Sequence, residues 1–140
     1  RKDGAYANAA SLADFAGAKI TGQLNTFHYT VIDQIPDVQK QTAMDTFPTM
    51  VVALTSGVID GYISERPGAE SAVATNPDLT YVEFADGQGF ETDPADTSIA
   101  IGVAKGSELT AKINEALATI SDEERLQIME DVLADQPSAE

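Results

Sequence analysis

Cysteine does not occur in this sequence, which removes disulfides, thiolate nucleophiles and sulfur-ligated metals together. Tryptophan is also missing, and histidine occurs once, as His28. Basic residues are scarce, 8 against 23 acidic ones, for a formal net charge of −15. A surface this negative repels phosphate backbones and anionic lipid headgroups, so neither nucleic acid nor a membrane surface is an expected partner. No apolar run approaches the roughly 18 residues of a membrane span, and Arg1-Lys2-Asp3-Gly4 leads into no signal-peptide core. Any export signal or lipid anchor is therefore expected to lie outside these residues.

What the chain does have is enough apolar residues, 43% of 140, for one compact domain with a genuine core. Ser11-Leu12-Ala13-Asp14-Phe15 is a capped short helix that stops at Gly17. Residues 18–24 read as a strand, and Asn25-Thr26 lead into a helix with Phe27, Val31 and Ile32 on one side. After Pro36, Val38–Thr42 is a short strand. Asp45 then caps a helix with Pro48 in its first turn, a stripe of Phe47, Met50, Val51 and Leu54, and a stop at Gly57. Ile59–Ser64 is the next strand, and Glu65-Arg66-Pro67 open a helix that ends near Asn76-Pro77.

Leu79–Phe84 and Ser98–Ala104 are predicted as further strands around a loop at 85–97. Ser107 caps a helix carrying Leu109, Ile113, Leu117 and Ile120, and Ser121-Asp122-Glu123-Glu124 is a capping box for a last helix. Acids crowd the last twenty residues, which fits a solvated helix face and tail. The β-α-β-α-β rhythm predicts the α/β class: a mainly parallel open sheet with helices on both faces.

Ligands of an open α/β sheet sit at the carboxyl ends of strands. Two strand-to-helix turns qualify. At Leu24-Asn25-Thr26-Phe27, the amides opening the helix and the Thr26 hydroxyl suit a carboxylate or phosphate oxygen, while plain helix capping by Asn25 or Thr26 fits the same spacing. At Ser64-Glu65-Arg66-Pro67, a carboxylate at a strand end can grip an ammonium group. Equally, Glu65 can pair with Arg66 and face water. Together the two turns offer the anion seat and cation grip that a zwitterionic amino-acid backbone requires.

His28 has no Cys, His or Asp at metal-ligand spacing and reads as an ordinary surface or packing residue. Asp93-Pro94-Ala95-Asp96 lacks the Gly and final Glu of a calcium loop and reads as a turn. No G-x-S-x-G, G-x-G-x-x-G or Walker pattern occurs, so no catalytic activity, metal or cofactor is expected.

Five segments, in order, resemble the second lobe of polar amino-acid binding proteins of ABC importers, which have the type II periplasmic-binding-protein fold. Ser11-Leu12-Ala13-Asp14-Phe15-Ala16-Gly17-Ala18-Lys19-Ile20 looks like the start of that lobe. Leu24-Asn25-Thr26 is similar to the carboxylate turn, usually written with Gly or Ser before Thr. Leu54-Thr55-Ser56-Gly57-Val58-Ile59-Asp60-Gly61-Tyr62 and the acidic turn Ser64-Glu65-Arg66-Pro67 follow. Ile99-Ala100-Ile101-Gly102-Val103-Ala104-Lys105-Gly106-Ser107-Glu108-Leu109, with Ile113-Asn114-Glu115-Ala116-Leu117 behind it, resembles the returning segment. The resemblance covers residues 8–135.

It implies that Thr26, with Asn25, binds a ligand α-carboxylate, that Glu65 binds the α-ammonium, and that Gly22 and Phe27 line the cleft less directly. Glu65 stands where Asp is more common, which implies an amine seat displaced by about one methylene. The resemblance further implies two parts: residues 1–98 as the backbone-binding lobe, and residues 99–140 as a returning hinge strand with helices that pack on a first lobe encoded elsewhere. The implied protein is an extracellular or periplasmic solute receptor, lipid-anchored at the outer face of the membrane. Its partners are a polar amino acid, an ABC permease and its own first lobe. The isolated chain is expected to bind weakly or not at all and to expose apolar surface. An alternative of another class is the effector-binding half of a LysR-like transcription regulator, which shares this architecture.

Overall fold

The computed structural model describes residues 1–135. The chain divides into two compact units, Arg1–Asp96 and Thr97–Glu140.

The first unit is built on a parallel three-stranded sheet in the order β2-β1-β3, with β1 at Lys19–Thr21, β2 at Gln39–Lys40 and β3 at Gly61–Tyr62. Ile20 stands opposite Lys40 on one side and Gly61 on the other, which fixes the register. The chain is α/β, as the alternating pattern predicts, although the strands are shorter than expected. Gly22 interrupts the β1 ladder, and pairing resumes only as a bridge between Gln23 and Met44. Around the strands stand a 3₁₀ turn at Leu12–Phe15, helix α1 at Phe27–Thr30 running into a 3₁₀ turn at Val31–Gln34, helix α2 at Phe47–Thr55 and helix α3 at Arg66–Thr75.

Successive strand side chains point to opposite faces, and β3 shows the result. Ile63, just past the strand, packs with Ala18, Ile20, Ile32 and Ile35, beside the 3₁₀ turn and α1. Tyr62 packs with Ala53, Leu54, Ile59 and Leu79, beside α2 and α3. The sheet thus carries an apolar layer on each face, and helices cover both. Ile32, Met50, Ile59 and Leu79 are essentially inaccessible, each burial contributing about 1.5–3 kcal/mol relative to exposure.

Helix limits follow local chemistry. Gly17 and Gly57 take φ of 79° and 77° where the chain leaves its first turn and α2, a left-handed geometry that suits glycine. Thr46 caps α2, accepting a bond from the Thr49 amide at 3.4 Å. That corrects the expectation that Asp45 does so.

Residues 79–84 form no strand. Leu79 is locked into the core by its side chain and its amide bond to the Asn76 carbonyl. From Thr80 onward, however, the segment walls an aromatic-lined cavity beside β3 instead of pairing with it. Within 85–97 the structure adds a short helix, α4, at Pro94–Thr97, opened by Asp93 Oδ1 accepting from the Ala95 amide at 2.8 Å.

In the second unit, residues 98–104 are not the predicted hinge strand. Ile99 is 98% exposed, and the described residues of this unit contain helices and no strand. Helices α5 (Leu109–Ala118) and α6 (Asp122–Ala134) follow. Ser107 Oγ accepts from the Leu109 amide at 3.2 Å. Ser121 and Glu124 form the predicted capping box, at 3.2 Å and 2.8 Å. Leu109, Leu117, Leu126, Ile128 and Val132 are exposed on these helices.

Candidate functional site

Because β1 and β3 are adjacent and parallel, their carboxyl ends lie on one edge of the sheet. The turns at Asn25-Thr26 and Ser64-Glu65 leave from that edge.

The first turn is held from below. The Leu24 amide donates to the Met44 carbonyl at 2.9 Å, and Gln23 Nε2 donates to the Asp45 carbonyl at 3.1 Å. Asn25 then takes φ of 61°, a conformation Asn tolerates better than most residues with a side chain. Thr26 occupies the N-cap position of α1 in extended conformation, yet its side chain accepts no helix amide. Its hydroxyl donates instead to the Gln23 carbonyl at 2.8 Å, bracing the turn. Side-chain capping by Thr26 is therefore not its role in this structure.

Gly22 serves the turn in a different way. A Cβ placed there would meet the His28 carbonyl oxygen and the Tyr29 amide nitrogen, both at 2.9 Å. The bare Cα lets the first turn of α1 close onto the end of β1, so Gly22 sets the height of Thr26 and His28 above the sheet. It is buried, and Phe27 is half-buried.

Glu65 occupies the N-cap position of α3 with Pro67 in the first turn, and its side chain makes no capping bond. The bland alternative, a pair with Arg66, is not realised. Arg66 turns to Glu70 at 2.7 Å and Glu83 at 3.1 Å. Glu65 instead reaches across the edge to α1, where its Oε1 stands 3.3 Å from Nε2 of His28.

His28 is the residue that sequence reasoning missed. Only 4% of it is exposed, so of the surface and packing readings the packing one holds. The Phe27 ring lies against it with centroids 4.0 Å apart. Neither ring nitrogen makes a hydrogen bond among the described residues, and Glu65 is the counter-ion at hand when the ring is protonated. Burial pushes the imidazole pKa below its ordinary value, and the Glu65 charge opposes that shift without overcoming it. The ring is accordingly neutral at pH 7. The signal was present: His28, Val31, Ile32 and Ile35 recur at helical spacing, and all four are buried.

Of the five predicted site residues, Gly22, Asn25, Thr26 and Phe27 thus stand in one turn, and Glu65 reaches that turn through His28. An apolar cavity of about 310 Å³ opens nearby. Tyr6, Phe15, Tyr62, Phe84 and Phe90 contribute to its lining, as do Ser64 and Arg66, which flank Glu65. None of the predicted site residues lines it. Burial raises the Tyr62 hydroxyl pKa there. No group of three or more His, Asp or Glu among the described residues is arranged to hold a metal ion.

No protein family, curated protein or solved structure matches the chain.

Proposed function

We propose that the chain is the backbone-binding lobe of an extracellular solute receptor for an amino-acid ABC importer. In this reading the Asn25-Thr26 turn receives the α-carboxylate of a polar amino acid and Glu65 receives its α-ammonium. The receptor closes on the ligand with its first lobe and delivers it to the permease at the outer face of the membrane, tethered there or free in a periplasm. The observation that carries the reading is the 3.3 Å approach of Glu65 to His28 in the first turn of α1. That approach brings the second turn against the short helix that the first turn opens, which is the arrangement a zwitterionic ligand held by both turns requires. A cleft formed by two lobes supplies the remaining contacts, so the side-chain preference lies largely outside this unit.

Isothermal titration of the full-length protein against the twenty amino acids tests the proposal. At least one is expected to bind with Kd well below about 1 mM, and Glu65→Ala to weaken it at least tenfold, as loss of a charge-assisted bond does. Binding of none of them, or a Glu65→Ala variant indistinguishable from the parent, would end this reading.

A further inference from the structure

Protein interiors are close-packed, and voids larger than a water molecule are few. A cavity of about 310 Å³ in the first unit is therefore more than packing slack, and it reaches the size of small-molecule pockets, about 300–1,000 Å³. It lies beside β3, the edge strand of the sheet. Ile63, from one apolar layer, and Tyr62, from the other, both line it.

Its aromatic wall is held in place. Tyr6 stacks on Phe15 with centroids 5.7 Å apart, Phe15 meets Phe84 edge-on at 6.1 Å, and Phe84 meets Phe90 edge-on at 6.0 Å, all favoured ring geometries. Gly89 lets the turn between the last two rings close, since a Cβ there would stand 3.2 Å from the Cβ of Phe84. Just beyond Phe90, two hydrogen bonds between Gln34 and Glu91, at 2.7 Å and 2.8 Å, pin the turn to the 3₁₀ turn after α1. On α3 the lining residues Ala69 and Ala72 are small and leave room that larger side chains would take.

The charged side chains of the lining are engaged by the protein itself. Arg66 is held by Glu70 and Glu83, Arg1 by Asp3 and the Leu54 carbonyl, and Asp60 by the Lys19 amide. None is left free for an ionic ligand, and burying a charge without a partner is costly. The Tyr62 hydroxyl, whose pKa burial raises, stays neutral as well. An apolar cavity of about 150 Å³ already takes benzene, so one of about 310 Å³ has room for a molecule of two fused rings.

We infer that this cavity is a binding site for a neutral, flat aromatic molecule the size of indole, packed against the wall of Tyr6, Phe15, Phe84 and Phe90. The site goes beyond the amino-acid reading, because none of Gly22, Asn25, Thr26, Phe27 or Glu65 lines it. Either can fail alone.

The chain has no tryptophan, so the emission of added indole is read without protein background when it is excited beyond the absorption of tyrosine. Titrating the 140-residue protein into indole at neutral pH should give a saturable blue shift, with one site and a Kd on the order of 0.1 mM. Indole-3-acetate and tryptamine carry the same ring with a negative or a positive charge, and should bind at least about tenfold more weakly. Ala69→Leu and Ala72→Leu fill the cavity, and each should weaken indole at least about tenfold while keeping or raising the melting temperature. By NMR, indole should move the amides of Gly61 to Ser64 and of Phe90 in the parent. It should leave those of α5 and α6 in place, whose exposed apolar side chains are the competing surface.

Indole that shows no saturation below about 1 mM, charged analogues that bind as well as indole does, or shifts confined to α5 and α6 overturn the inference. So do filled variants that keep the fold and bind as the parent does. A full-length protein that leaves indole free, its own chain filling the cavity, overturns it too. Should a filled variant fail to fold, the shift map of the parent decides alone.

Discussion

Gly22→Ala is the substitution on which the geometry of the site can be judged most sharply. The new methyl carbon would stand 2.9 Å from the His28 carbonyl oxygen, 2.9 Å from the Tyr29 nitrogen and 3.0 Å from the His28 carbonyl carbon. All three are backbone atoms in the first turn of α1, where the Tyr29 amide is bonded to the Thr26 carbonyl, so no flexible side chain can swing aside. Relief requires α1 to rise from the end of β1, and overpacking of that kind costs about 1–3 kcal/mol. Against it stands about 0.4–1 kcal/mol from the lower entropy of an alanine in the unfolded chain. The net expectation is a loss of about 1–2 kcal/mol, read as a lower urea midpoint by circular dichroism with the slope unchanged. Gly17→Ala is the control. No atom lies within 4 Å of its new Cβ, but φ is 79°, so its penalty of about 1 kcal/mol is conformational and local. The two are distinguished by NMR, since only Gly22→Ala should shift the amides of Thr26 to Tyr29. A Gly22→Ala protein within about 0.5 kcal/mol of the parent, with those amides unmoved, would refute the close approach that sets the height of the turn.

Three further expectations concern stability. His28→Phe removes two unpaired buried nitrogens while keeping a ring, and should stabilise the protein at neutral pH by about 1 kcal/mol in urea unfolding. An equal or larger loss would mean that the imidazole is satisfied in solution. In the parent, His28 has a lowered pKa in the folded state, so the unfolded chain binds more protons once pH falls below about 6.5. Stability linked to His28 is therefore unaffected by pH above that value and falls as pH drops towards and through the folded pKa. Urea midpoints at descending pH should fall more steeply for the parent than for His28→Phe. Ile59→Ala, at a 1% exposed position in the layer beneath α2 and α3, should cost about 2–5 kcal/mol by the same assay.

Much of the first unit was legible in the sequence because its signals are local. The glycines at 17 and 57, the proline at 48 in the first turn of α2 and the 3.6-residue stripe of α2 each act within one turn of chain, and each is found in its expected place. Strands depend on neighbours far away. Leu79–Phe84 and Ser98–Ala104 alternate or run apolar as strands do, yet neither is a strand, because pattern describes what a segment can bury and says nothing about whether a partner edge is there. The site shows the same division. The turns at Asn25-Thr26 and Glu65 follow from strand-then-helix order, whereas their meeting through His28 is a tertiary fact. His28 was passed over because the stripe was started at Phe27, one residue early. Starting it at His28 aligns Val31, Ile32 and Ile35 on the buried face and places an imidazole inside.

Two features of the first turn run against stability, and they differ in kind. Asn25 has a positive φ, but so does Asp37, at 52°, in the ordinary turn whose carbonyl accepts from the Gly17 amide. A left-handed Asn or Asp is a common way to turn a chain and distinguishes neither position. His28 is different in kind. Phenylalanine would fill its place without an unpaired nitrogen, and the turn does not need the imidazole, since Gly22 and the Thr26 hydroxyl already hold it. The imidazole Nε2 lies 3.3 Å from Oε1 of Glu65, a carboxylate that makes no capping bond at α3, so the ring is tied to a tertiary partner that no local turn signal could have supplied.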